Sequence, residues 1–148
     1  MAAEIHHLHQ QIPVREAYQL RRPVRQGEVQ RLDSMTKIFF KDENGQKEIC
    51  CKGHSGYAVS GADIVCAGIS SLVFAWAELC MQLDKKDSIQ VNRLEIKDGY
   101  SRIIISDPAN VTENAFKMLK LGFELLEENY EKNIKLYKVW EDFQKEIL

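Results

Sequence analysis

The segment Thr36–Lys52 reads TKIFFKDENGQKEICCK, and its reading decides the fold. Two β-prone runs, residues 36–41 and 46–52, flank Asn44-Gly45. That dipeptide suits a two-residue hairpin turn because both positions tolerate positive φ. Outward from this hairpin the pattern repeats. An apolar helix is expected from about Asp63 to Gln82. Strand candidates follow at 89–97 and 100–106 around Asp98-Gly99, and a second helix from about Asn110 to Glu131. A short closing strand is expected over Ile134 to Val139. The order ββαββα predicts an α+β fold, a two-layer sandwich with helices on a mainly antiparallel sheet.

The two helices differ in character. In the second, Val111, Ala115, Met118, Leu119, Gly122, Leu125 and Leu126 form a stripe at helical spacing that would cover one sheet face. Asn110 is its expected cap, with Glu113 three residues on. The first helix is apolar nearly all round, with Val65, Ile69, Leu72, Val73, Phe74, Trp76 and Leu79. One sheet covers only one side of such a helix. The second helix, and a second subunit in a homodimer, are the expected cover for the rest.

The whole chain bounds the function classes. It has 148 residues, 45% hydrophobic, enough for one core of ordinary size. Twenty basic residues against 22 acidic ones, with a pI near 6.1, leave no cationic surplus for general nucleic-acid binding. The longest uncharged apolar stretch, Ile64 to Ala77, is too short for a bilayer, so no membrane partner is expected. Four cysteines, two of them adjacent at Cys50 and Cys51, form no spaced disulfide framework, and the expected setting is cytoplasmic. Residues 1–34 differ from the rest: they carry His6, His7 and His9, two of the three prolines and no Phe or Trp. They are expected to be a disordered or non-native extension, with the domain spanning 35–148. The three tail histidines have no partner Cys or carboxylate at ligand spacing, and no C-x-x-C occurs, so no metal site is expected.

The chemistry gathers between the second strand and the first helix. Outside the tail the only histidine is His54, directly after Gly53. Twelve residues on stands Cys66. With Asp63 as the N-cap, Cys66 is the third helical residue, near unpaired N–H groups and the positive end of the helix dipole. Both favour the thiolate, the nucleophilic form. The intervening Ser55-Gly56-Tyr57-Ala58-Val59-Ser60-Gly61 is a flexible loop by composition, long enough to bring His54 beside the sulfur. A Cys with an adjacent His is the general form of an activated nucleophile. The bland alternatives are a packed Cys66, a structural His54, an Asp63 that only caps, and a Ser70 that packs one turn on. Cys50, Cys51 and Cys80 read as buried small hydrophobes, the first two on opposite strand faces.

Gly53-His54, Asp63-Ile64-Val65-Cys66-Ala67-Gly68 and Ser70 together resemble the signature of the bacterial ribosomal-processing cysteine proteases, the Prp family. The resemblance spans Met35 to about Tyr137. Lys138 to Leu148 extends further than the family pattern. Such proteases remove a short N-terminal extension from large-subunit ribosomal protein twenty-seven, cutting after a hydrophobic, Phe-rich sequence. The resemblance implies Cys66 as nucleophile and His54 as base, then acid. It also implies Asp63 as cap and support for the loop or histidine, Ser70 as support, and no cofactor. Backbone N–H groups at the helix start would form an oxyanion hole. Two rival readings stand beside it: a redox-reactive thiol, and a non-catalytic module for ribosome assembly.

Overall fold

The computed structural model describes residues 35–53 and 63–147. Residues 1–34, His54 and the loop positions Ser55, Gly56, Tyr57, Ser60 and Gly61 lie outside the described residues.

The elements run in the expected order with one addition. They are β1 (Thr36–Glu43), β2 (Gln46–Lys52), α1 (Ile64–Lys85), β3 (Gln90–Lys97), β4 (Tyr100–Ser106), α2 (Glu113–Asn129), β5 (Ile134–Tyr137) and α3 (Trp140–Ile147). Asn44 and Gly45 both have positive φ, at 52° and 73°, as the tight β1–β2 turn requires. The sheet order is β3-β4-β2-β1-β5. Every pair is antiparallel except β1 with β5, so the sheet is mixed.

Side-chain alternation divides the sheet into two faces. Ile38, Phe40, Ile49, Cys51, Leu94, Ile103 and Ile105 point to the helical layer and meet Val65, Ile69, Val73, Phe74 and Trp76 of α1. The helix α1 lies over β3 and β4. Over β1, α2 sets Phe116 and Phe123 against Phe40, with ring centroids 5.9 and 5.3 Å apart. The two helices are antiparallel, since Gly68 faces Leu126, Leu72 faces Gly122 and Trp76 meets Phe116. Removing a Leu- or Phe-sized side chain from this core would cost about 2–5 kcal/mol.

Several expectations need correction. The buried face of α2 is Phe116, Leu119 and Phe123, whereas Met118, Leu121 and Leu125 are exposed. Two phenylalanines seven residues apart bury more apolar area than the Met and Leu stripe, and they set the helix rotation. Asn110 is not the cap. The N-cap is Thr112, which makes no side-chain cap bond, and Asp107 instead holds the turn leading into the helix, accepting from the N–H groups of Val111 and Thr112, both at 2.9 Å. Asn110 adopts φ 55° and accepts instead from the buried Lys47 Nζ at 2.6 Å, which also reaches Asp107 Oδ2 at 3.2 Å. The closing strand stops at Tyr137, because Trp140–Ile147 turns back as α3 over the outer sheet face. There Phe143 joins Phe39, Cys50 and Tyr137 in a second small core. Cys50 and Cys51 do face opposite sides, and Cys80 is fully buried.

The fold gives the sheet two distinct ends. At α1's C-terminus, Asp84 Oδ1 accepts from Val91 N–H at 3.0 Å, tying this end to the start of β3. Helix α1 therefore begins at the opposite end, where β2 finishes at Lys52 and β3 turns into β4.

Candidate active site

The first turn of α1 is built by Asp63. Its backbone is extended (φ −81°, ψ 99°), which stops helix from propagating backward. Its Oδ1 accepts from Val65 N–H at 3.0 Å and Cys66 N–H at 2.9 Å, satisfying two of the N–H groups that a helix start leaves open. Asp63 is buried, and its bond to Val65 lies in the interior while its bond to Cys66 is partly buried. Cys66 is the third helical residue, half-exposed, with its backbone held by the cap. Ser70, also half-exposed, stands one turn later on the same flank. Cys66 thus stands in the first turn of α1, at the positive end of the helix dipole.

Gly53 closes β2 at the same end of the sheet. Its φ of +100° suits glycine, and a Cβ added there would meet the Met35 carbonyl oxygen at 2.7 Å. Its N–H donates to Gly99 O at 2.8 Å, across to the turn between β3 and β4. The chain thus enters residue 54 from a backbone clamped between the start of β1 and the Asp98-Gly99 turn. Gly99 as part of this clamp was not singled out from sequence. Its dipeptide signalled a hairpin, but the partner lies 46 positions away along the chain, counted from Gly53.

The other three thiols are buried. Burial pushes Cys50 up to about 11, despite the nearby Arg102 guanidinium. Burial likewise raises Cys80, and Asp107 and Asp84 add to the effect. Cys66, partly open to solvent, is the one cysteine not placed in the core. Among the described residues, no three His, Cys, Asp or Glu side chains cluster closely enough to hold a metal ion. A shallow surface cavity of about 450 Å³ lies at the far end of the sheet, around Lys41, Asn44, Ser106 and Pro108, and contains none of these groups.

Comparison with known proteins gives one family. A family model described as cysteine protease Prp matches residues 35–135. No curated protein matches. Among solved structures, the ribosomal processing protease Prp from S. aureus, in complex with a covalently linked product peptide, aligns with a TM-score of 0.61. It is 24% identical and covers 71% of this chain and all of that one. The same S. aureus protease with a substrate peptide aligns at 0.55 and 23% identity, with the same coverage. SMU.848 from Streptococcus mutans is 25% identical over 71% of this chain and 94% of that one, at a TM-score of 0.48. The S. aureus alignments show that the α+β fold is shared.

Proposed function

This chain belongs to the cysteine protease Prp family, and from that premise we propose that it removes the short N-terminal extension of large-subunit ribosomal protein twenty-seven, cleaving after a hydrophobic, Phe-rich sequence. The observation that carries the reading is the Asp63-capped first turn of α1, which presents Cys66 at the sheet end where Gly53 leads into His54.

The chemistry follows from those residues. His54 takes the Cys66 thiol proton, and the sulfur attacks the scissile carbonyl carbon. The carbonyl π electrons move to oxygen, where N–H groups at the start of α1 are the natural donors to the oxyanion. Collapse of this intermediate breaks the C–N bond, and protonated His54 gives its proton to the leaving amine. Water, deprotonated by His54, then hydrolyses the thioester and frees the thiol. Asp63 holds the turn that carries the nucleophile, and Ser70 supports it from the next turn.

We also propose a homodimer in the cytoplasm, without direct nucleic-acid contact. Exposed Met118, Leu121 and Leu125 on α2, with Ile64 on α1, support a second copy. Four free cysteines and the slightly acidic charge support the setting and the absence of nucleic acid. Light scattering that returns a monomer at micromolar concentration removes the dimer.

The deciding experiment incubates the purified chain with a peptide spanning the proposed junction and follows masses. Cleavage by wild type, abolished in both Cys66→Ser and His54→Ala, is the expected result. Well-folded wild type that leaves the junction peptide intact overturns the substrate assignment.

A further inference from the structure

The flank of α1 that carries Cys66 faces away from α2. Gly68, Leu72 and Trp76 are the residues that meet α2. At 100° per residue, Cys66 lies about 200° round the helix from Gly68. Since α2 covers β1 and β5 while α1 covers β3 and β4, the Cys66–Ser70 flank looks toward the outer side of β3. That strand is the sheet's edge, and among the described residues no strand pairs with its outer side.

The register shows which backbone groups this edge offers. Lys97 pairs with Tyr100 across a two-residue turn, which makes them a hydrogen-bonded pair. Gly99 O faces β2, where it accepts from Gly53 N–H, so alternate β4 residues turn the same way and Tyr100 and Arg102 face β3. Lys97 and Glu95 are consequently committed to β4. The N–H and C=O groups of Leu94 and Ile96, opposite Ile103 and Ser101, point outward. The bulge between Val91 and Arg93 ends this regular stretch.

The lengths fit as well. From Asp84 back to Cys66, α1 rises about 27 Å, whereas β3 from Val91 to Lys97 spans about 20 Å. With Asp84 tied to Val91, Cys66 overshoots the end of β3 by about 7 Å, the reach of two extended residues.

We propose that the substrate polypeptide binds as an added strand on the free edge of β3, bonded through the backbone of Leu94 and Ile96, with its scissile bond about two residues beyond the end of β3, at Cys66. This rests on the protease reading and adds the recognition surface to it. Main-chain bonds supply affinity, and alternate substrate side chains fall toward the helical layer, where apolar Leu94 and Ile96 form the floor. An extended apolar segment is the class of ligand that such an edge selects.

The test uses the full chain and the junction peptide in two arms. In the first, each backbone amide of the peptide is methylated in turn and cleavage by wild type is measured. Cleavage should fall tenfold or more at alternate amides of the paired stretch and stay within threefold at those between. In the second, amide exchange is followed in Cys66→Ser with saturating peptide. Leu94 and Ile96 N–H should gain at least tenfold protection, with Glu95 unchanged. Cleavage without that protection overturns the edge and spares the protease assignment. A peptide neither bound nor cut overturns the edge together with the substrate assignment. Protection that rises with protein concentration in the absence of peptide assigns the edge to a second copy and overturns the proposal.

Discussion

Substituting Gly53→Ala perturbs the fold and the site at one atom. The added Cβ would stand 2.7 Å from the Met35 carbonyl oxygen, a backbone atom that cannot swing aside. Neighbouring Thr36 is fixed by its N–H bond to Asn133 O at 3.0 Å and by pairing of β1 with both β2 and β5. Alanine at φ +100° costs about 1–3 kcal/mol in backbone strain. Overpacking adds about 1–3 kcal/mol, partly relieved by the same shift. That shift stretches the 2.8 Å bond to Gly99 O, worth about 1 kcal/mol. The expected loss is about 2–4 kcal/mol, or a Tm lower by about 8–16 °C for a domain near this size. Urea unfolding followed by the fluorescence of Trp76 and Trp140 measures it, beside peptide cleavage per folded molecule. Gly45→Ala is the matched control: its φ is +73°, its nearest contact is Pro108 Cα at 3.3 Å, and it sits at the far end of the sheet. It should cost about 1–2 kcal/mol while leaving kcat/KM unchanged. A Gly53→Ala protein that loses less than 1 kcal/mol, or one that cuts as well as the Gly45→Ala control, refutes the clamp.

Other expectations follow from single groups. Asp63→Ala removes both cap bonds and should destabilise by about 1 kcal/mol while lowering cleavage more than any exposed alanine change on α1; unaltered cleavage would free the site from the cap. Asp107→Asn removes the nearer, buried carboxylate from Lys47, leaving only the exposed Asp42 at 3.9 Å, and should cost about 3 kcal/mol at pH 7 by urea unfolding. Burial raises the Asp107 carboxyl, but bonds from the hydroxyl and N–H of Thr112, from Val111 N–H and from Lys47 hold it below the usual range. A depressed pKa gives stability that is complete above the unfolded value, about 3.9, and vanishes as pH falls through the folded value. The difference between wild type and Asp107→Asn should therefore shrink below pH 4; a constant difference contradicts this. Iodoacetamide at pH 8 should alkylate Cys66 and spare native Cys50, whose thiol burial pushes to about 11; mass spectra showing Cys50 modified first would reverse that order.

Both hairpins were legible because their turns are written in residues that tolerate positive φ, and the strands beside them alternate. The start of α1 was legible for a similar reason: an Asp before an apolar run is a local signal with a local cause. The face of α2 was not. Its apolar and small residues occupy more than half the helix circumference, and only the aromatic packing of Phe116 and Phe123 on Phe40 selects the rotation. Helix α3 has eight residues with Trp140, Phe143 and Ile147 at helical spacing, too short to signal by itself. It exists because Phe39 and Cys50 leave the outer face apolar and needing cover. Lys47 shares strand parity with Ile49 and Cys51, so its inward direction was readable. Its partner Asp107, 60 residues on, was not.

The two ends of the sheet divide the labour of the fold. At one end Lys47, Asp107, Asn110 and Thr112 form a closed polar lock that fixes the start of α2, with its charges buried and mutually satisfied. Such a lock contributes little net stability over an apolar equivalent, yet breaking one member is costly, so it specifies where α2 begins. At the other end Asp63 fixes the start of α1, but the side chain it helps present, Cys66, is left half-exposed. A reactive thiol requires that openness, and a buried one such as Cys50 or Cys80 is held in its neutral form. Since α1 joins the ends as one rigid rod, weakening the Lys47–Asp107 lock should lower stability without altering chemistry per folded molecule. Weakening the Asp63 cap changes both, because there the hydrogen bonds that hold the helix also hold the nucleophile.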